Sequence, residues 1–305
     1  MIAKIFALRL PKFAYLEHAG MPWKNDHLAS VETLLFRSAL VKVGSFECGA
    51  DDPCQRSTDI LDNDVFVVPQ RPVWIRRNSG SFRFAEPGAI LMHRAGSALQ
   101  RRFSTADGER TYWFGVHPDI FVESLLRHKL STRQMGGALI VEPRFRYRLA
   151  MFLRQLDCGP ADRLAVEEAV LTLFFEICEM RASRGQHSGA SRSATNHRQR
   201  RLADKARAYL DAHLAESVGL ETVAAEVGAS LYHLCRVFRR QTGMTMHAYR
   251  THQRLGHVVD RLVDGNSDSL AALALDTGFA SHSHLSRVFQ KALGIPPSAI
   301  RSVQP

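Results

Sequence analysis

His233-Leu234-Cys235-Arg236-Val237-Phe238 returns near the end of the chain as His284-Leu285-Ser286-Arg287-Val288-Phe289, every position displaced by the same number of residues. At that offset Gly243 matches Gly294, and Ala248-Tyr249-Arg250 matches Ala299-Ile300-Arg301. Upstream, Gly228 matches Gly278 at one residue less, so the second copy carries an additional turn residue, Phe279. A small unit used twice suits a ligand that itself repeats. A DNA duplex is such a ligand, offering its major groove again every roughly 34 Å.

Each copy reads as helix, turn, helix. In the first, Leu220, Val223, Ala224 and Val227 follow the i, i+3, i+4, i+7 pattern of one helix face. Gly228 ends that helix, because glycine tolerates the left-handed backbone that stops one. Ser230 caps the next helix, which runs to Gln241. Leu234, Val237 and Phe238 point inward and leave Tyr232, His233, Arg236, Arg239 and Arg240 outside. In the second copy the first helix is Leu270 to Thr277, Gly278 is the stop, and Ser281 caps His282 to Leu293. Leu285, Val288 and Phe289 face in; His282, Ser283, His284, Ser286, Arg287 and Lys291 face out. Between the units Met246 to Val263 forms one long helix with Leu255, Val259 and Leu262 on a stripe. A rigid helix fixes the separation of two readers, as matching one turn of DNA requires.

Leu273-Ala274-Leu275-Asp276-Thr277-Gly278-Phe279, Ser281, Leu285, Ser286-Arg287-Val288-Phe289, Gly294-Ile295-Pro296-Pro297-Ser298 and Arg301 together resemble the signature of AraC/XylS-type transcription regulators. The resemblance covers both helix-turn-helix units, in the expected order, at the end of the chain. It implies a seven-helix DNA-binding domain whose third and sixth helices enter successive major grooves. By position it implies base-reading roles for Tyr232, Cys235 and Arg236 in the first unit and His282, Ser283 and Arg287 in the second. Ile300 stands where the family usually has an aromatic, and Leu285 where Phe is common; both remain apolar, so repacking is expected. Arg236 and Arg287 suit either guanine O6/N7 or a phosphate. Tyr232 suits either DNA or packing.

Ahead of these units, residues up to Pro118 read as short strands. They include Ala39–Val43, Asp64–Val68, Val73–Arg76, Phe82–Phe84, Ala89–Met92, Leu99–Phe103 and Thr111–Phe114. Turn residues such as Asn78-Ser79-Gly80, Pro87-Gly88 and Asp107-Gly108 separate them. Many short strands indicate a barrel or sandwich. Helices follow at Pro118–His128, Pro143–Leu156 and Pro160–Arg181, each opened by a proline. In the last, Leu164, Val170, Leu171, Phe174, Phe175 and Cys178 form an apolar stripe that packs on the barrel or on a second subunit. The strand region resembles the cupin-type sensor domain found ahead of such DNA-binding halves. Phe66, Trp74, Ile90 and Phe114 are its candidates either to line a pocket or to fill one.

The expected fold is therefore α+β: a cupin-like barrel with packing helices over 1–180, a flexible basic linker over 181–200, and an all-α DNA-binding domain over 201–305. The formal charge of +10 favours a polyanionic partner. From Arg201 to Pro305, however, twelve basic residues face nine acidic ones, so charge supports the DNA reading without deciding it. No apolar run is long enough for a membrane span, and the first nine residues break too early with charge for a secretory signal. Cytoplasm is the expected location. The five cysteines are odd in number and form no CxxC pair, which reads as reduced, mostly buried thiols. His27, His93 and His117 are isolated and lack the His-His-Glu grouping of cupin metal enzymes, so no metal and no cofactor is expected. The expected partners are promoter DNA, a small-molecule effector of unspecified identity and a second copy of the chain, with RNA polymerase left open. A cupin-fold metal enzyme with an accessory DNA-binding tail is the alternative function.

Overall fold

The computed structural model describes residues 32–49, 59–61, 63–131, 135, 137–158, 162–185, 194–265 and 269–301. Its first half is built from nine strands: β1 (Glu32–Arg37), β2 (Val41–Cys48), β3 (Asp59–Ile60), β4 (Val65–Pro69), β5 (Val73–Arg77), β6 (Arg83–Ala85), β7 (Leu91–His93), β8 (Ala98–Phe103) and β9 (Glu109–Val116). They form two sheets, ordered β1-β2-β9-β4-β7 and β3-β8-β5-β6. All the pairings are antiparallel.

Side-chain alternation explains why β4, Val-Phe-Val-Val-Pro, is buried along its whole length. Val65 and Val67 join Val73, Ile75, Ala85, Leu91 and Leu99 in a small core between the two sheets. Phe66 and Val68 point the other way, into a larger core under the helices. A strand covered on both faces has no position for a polar residue. The helices are α1 (Pro118–Arg127), α2 (Pro143–Asp157) and α3 (Arg163–Gly185). Phe66 stacks on Phe114 at 5.4 Å and meets Phe174 of α3 edge-on at 5.4 Å. Phe66, Phe114 and Ile90 therefore fill the core rather than line a pocket. Trp74 lies outside that core: Val73 and Ile75 face in, so their neighbour faces the other side of the sheet.

The second half comprises α4 (Ala194–Ala212), α5 (Leu220–Val227), α6 (Leu231–Thr242), α7 (Met246–Val263), α8 (Leu270–Asp276), α9 (His282–Leu293) and α10 (Pro297–Arg301). The helix α7 serves two cores. Its front end, Met246 and Tyr249, packs with Leu210, Val223, Leu234 and Phe238. Its back end, Leu255 to Val263, packs with Leu273, Phe279, Leu285, Phe289 and Ile300. Leu285 and Ile300 are both buried, so the two departures from the family pattern keep their core places. Phe279, read as a turn residue, is a core residue.

The flexible reading of Arg181–Arg200 is corrected at both ends. Arg181 lies inside α3, buried, with Nη2 donating to the Gly137 carbonyl at 2.6 Å. Residues 194–200 belong to α4. Only residues 186–193 remain outside the described ones. The sequence signal misled because the front of α4 is rich in Arg and Gln, and because buried charge joins the apolar Ala203, Ala206 and Leu210 in holding the helix. Arg207 Nη1 donates to Asp204 Oδ1 at 3.0 Å. Arg207 also pairs with Glu86, and Asp204 with Arg83 of β6. Burial holds Arg207 below the usual arginine range and Asp204 above the usual carboxylate range. Burying such charges is tolerable only when each finds a partner.

A second seam joins α2 to α7. Arg146, buried, places Nη2 2.5 Å from Asp260 Oδ2 and Nη1 3.4 Å from Gln253 Oε1. One cysteine expectation is also corrected: Cys48 is disulfide-bonded. Cys178 is a buried thiol as expected, while Cys158 is exposed.

Candidate nucleic-acid interface

Local chemistry positions both outward-facing helices. Gly228 adopts φ 70°, ψ 45° and stops α5; Gly278 has φ 81° after α8. Ser230 Oγ accepts from His233 N at 3.4 Å, and Ser281 Oγ accepts from His284 N at 3.1 Å. Each cap satisfies a backbone N–H that a helix start would otherwise leave unpaired. The inward faces are Leu234, Val237 and Phe238 on α6 and Leu285 and Phe289 on α9, all buried.

The outer faces carry the charge. On α6, Tyr232, His233, Arg236, Arg239 and Arg240 are exposed; on α9, His282, Ser283, Arg287 and Lys291 are. Tyr232 is 77% exposed, which removes the packing alternative for it. Cys235 and Ser286 are half-buried beside these rows. His284 is half-buried too, its ring 5.5 Å from Phe279, so it serves the core as much as the surface. Among the described residues none of Arg236, Arg239, Arg240, Arg287 and Lys291 has an acidic partner within ion-pair distance. Five unneutralised cations on two equivalent helices are an electrostatic footprint for a polyanion. The 18 residues of α7, about 27 Å of helix, bridge the two units.

The three histidines weighed as metal ligands, His27, His93 and His117, go to separate places. His27 lies outside the described residues. His117 caps α1, its Nδ1 accepting from Asp119 N at 3.2 Å. His93 is buried with both ring nitrogens unpartnered. Burial, then the charges of Arg77 and Arg101, lower its pKa to about 3. Among the described residues no three metal-type donors come together.

Comparison with known proteins agrees with the geometry of the second half. Residues 223–302 match the family described as a helix-turn-helix domain. The regulatory protein PocR of Salmonella typhimurium is 34% identical over 98 residues, 32% of this chain and 32% of that protein. The transcriptional activator RhaR of Klebsiella pneumoniae is 27% identical over 189 residues, 62% of this chain and 63% of that protein. A Chromobacterium violaceum regulator of the AraC-type DNA-binding group superposes with a TM-score of 0.33 at 25% identity, over 36% of this chain and 98% of its own. The chain thus spans about a third of PocR and less than two thirds of RhaR. The C-terminal part of the chain is a helix-turn-helix domain of the AraC/XylS type.

Proposed function

We propose that this chain is a transcription regulator that reads promoter DNA with α6 and α9 and answers to a small molecule through its strand-rich half. The observation that carries the reading is the pair of equivalent helices mounted at the two ends of α7, each with an exposed basic face that has no acidic partner among the described residues. Phosphate neutralisation supplies most of the affinity. Arg236 and Arg287, at equivalent places, supply sequence choice, with Tyr232, His282 and Ser283 beside them. As a promoter-binding protein it acts in the cytoplasm.

A second copy completes the reading, because paired operator sites need paired readers. The face we assign to pairing runs along α1 and α3. Val122 and Leu126 sit one turn apart on α1; Leu164, Leu171 and Phe175 share a stripe on α3. Leu126 is 75% exposed and Leu164 70%, and a second copy seated there would take this apolar surface out of water.

Footprinting tests the reading. Arg236→Ala and Arg287→Ala should each erase a different half of the protected site, with a loss of about 1–3 kcal/mol where a base contact goes. Full protection by both variants removes the assignment.

A further inference from the structure

A crevice of about 550 Å³ opens between the outer face of the smaller sheet and α4. Trp74 and Arg76 of β5, Phe82, Arg102 and Phe103 of β8, and Arg201 and Lys205 of α4 line it. It is not the space between the two sheets, which aliphatic side chains fill.

Its chemistry is one-sided. Four cations face it, two from the sheet and two from α4. Among the described residues none of the four has an acidic partner, since Asp204 nearby is committed to Arg83 and Arg207. Two of the cations are held by stacking: the guanidinium of Arg102 lies 4.1 Å from the Phe82 ring centre and that of Arg76 lies 4.9 Å from it. Stacking occupies the faces of these planar groups and leaves edge N–H donors for an acceptor. Arg76 gives one donor to Gln100, and its buried Nε has no partner. Trp74, paired across the sheet with Arg102 and packed 5.3 Å from Phe84, adds a flat apolar wall. The volume suits a small molecule.

We infer that this crevice is a binding site for an anionic aromatic molecule, its ring against Trp74 and Phe82 and its carboxylate, phosphate or sulfonate groups among Arg76, Arg102, Arg201 and Lys205. The inference rests on the small-molecule half of the proposed function and gives that molecule a place and a chemical class. It also gives the signal a route. Without an anion, the sheet cations and the α4 cations repel one another across the gap. A bound anion draws α4 onto the sheet, and α4 packs directly against α5 and α6, the first reading unit. Occupancy thus biases the pose of α6 without touching DNA.

The test is calorimetric titration of the full chain, without DNA, using naphthalene-2,6-dicarboxylate. Its neutral diamide and citrate serve as the ring-only and charge-only controls. The inference expects saturable one-site binding of the dicarboxylate and at least tenfold weaker binding of both controls. Arg76→Gln and Lys205→Gln, one from each wall, should each weaken it tenfold or more, while Arg236→Ala should leave it unchanged. Lys205 is exposed, so its variant isolates charge from folding. Equal binding of dicarboxylate and diamide overturns the inference. So does undiminished binding by both crevice variants, or displacement of the probe by a random-sequence duplex, which would make the crevice a DNA contact. Because no DNA enters the main titration, failure of promoter binding leaves its outcome standing.

Discussion

Alanine at position 256 should destabilise this chain, against the usual direction of that change. Gly256 lies in the middle of α7, where propensity alone favours alanine by about 1 kcal/mol. A Cβ there would stand 2.1 Å from Arg146 Nη1 and 2.4 Å from its Cζ. Ordinary contact begins near 3.5 Å. The guanidinium has little room to yield. It also presses on Gly88, where a Cβ would stand 2.6 Å from Nε, and it holds Asp260 and Gln253. Overpacking costs about 1–3 kcal/mol. Loosening a buried ion pair adds to this, up to about 3–5 kcal/mol if one partner is lost altogether. The Asp260 side chain is 30% exposed and recovers part of that by hydration, so the net expectation is a loss of about 2–3 kcal/mol. Urea unfolding of Gly256→Ala, Arg146→Ala and the double variant measures it. With Arg146 removed the obstruction is gone, and the same Gly256→Ala change should become neutral or stabilise by up to about 1 kcal/mol. An equal loss in both backgrounds would refute the reasoning.

Two further outcomes follow from the charged groups. His93 has its folded pKa depressed to about 3 from an ordinary 6.5, so the unfolded chain binds the extra proton. Stability is full above pH 6.5 and falls as pH drops, by about 2 kcal/mol at pH 5 from this residue. His257, lowered to about 4 by burial and then Arg146, acts in the same direction, and Asp211, raised to about 6 by burial, acts against it. Urea midpoints of His93→Gln and its parent between pH 7.5 and 5 should therefore converge as pH falls; parallel curves would exclude the buried neutral histidine. On DNA, the combined change Arg239→Gln and Arg240→Gln should flatten the slope of log affinity against log salt by about 2. An unchanged slope would take both arginines off the phosphates.

Local features of this fold were legible in the sequence, and features closed over long distance were not. The stops at Gly228 and Gly278, the caps at Ser230 and Ser281 and the span of α7 depend on a few adjacent residues, and all stand where the pattern put them. The first strand, Glu-Thr-Leu-Leu-Phe-Arg, gave no clean alternation and was missed. The helix α4 was missed in its front half because Arg and Gln dominate there, and its anchors, Asp204 and Arg207, are charged residues that pattern reading places outside. Their partners Glu86 and Arg83 lie over a hundred residues away, which no local rule can supply. For Trp74 a usable signal existed: in Val73-Trp74-Ile75-Arg76 the aliphatics claim one face, so the indole shares the other with arginine. That parity, applied strictly, points Trp74 out of the sandwich and toward the crevice. The DNA-facing rows were readable because the same helix is written twice. Half-burial of His284 was not, because it depends on the additional Phe279 in the second turn.

The central claim is that two reading helices sit at a fixed separation on α7 and enter adjoining major grooves. The direct measurement is affinity for the protected promoter site after insertions of about 5 and about 10 base pairs between its halves. A rigid bridge predicts that both insertions reduce binding to the level of an isolated half-site, with protection surviving over one half only. Undiminished affinity and two-sided protection on either inserted site would contradict it.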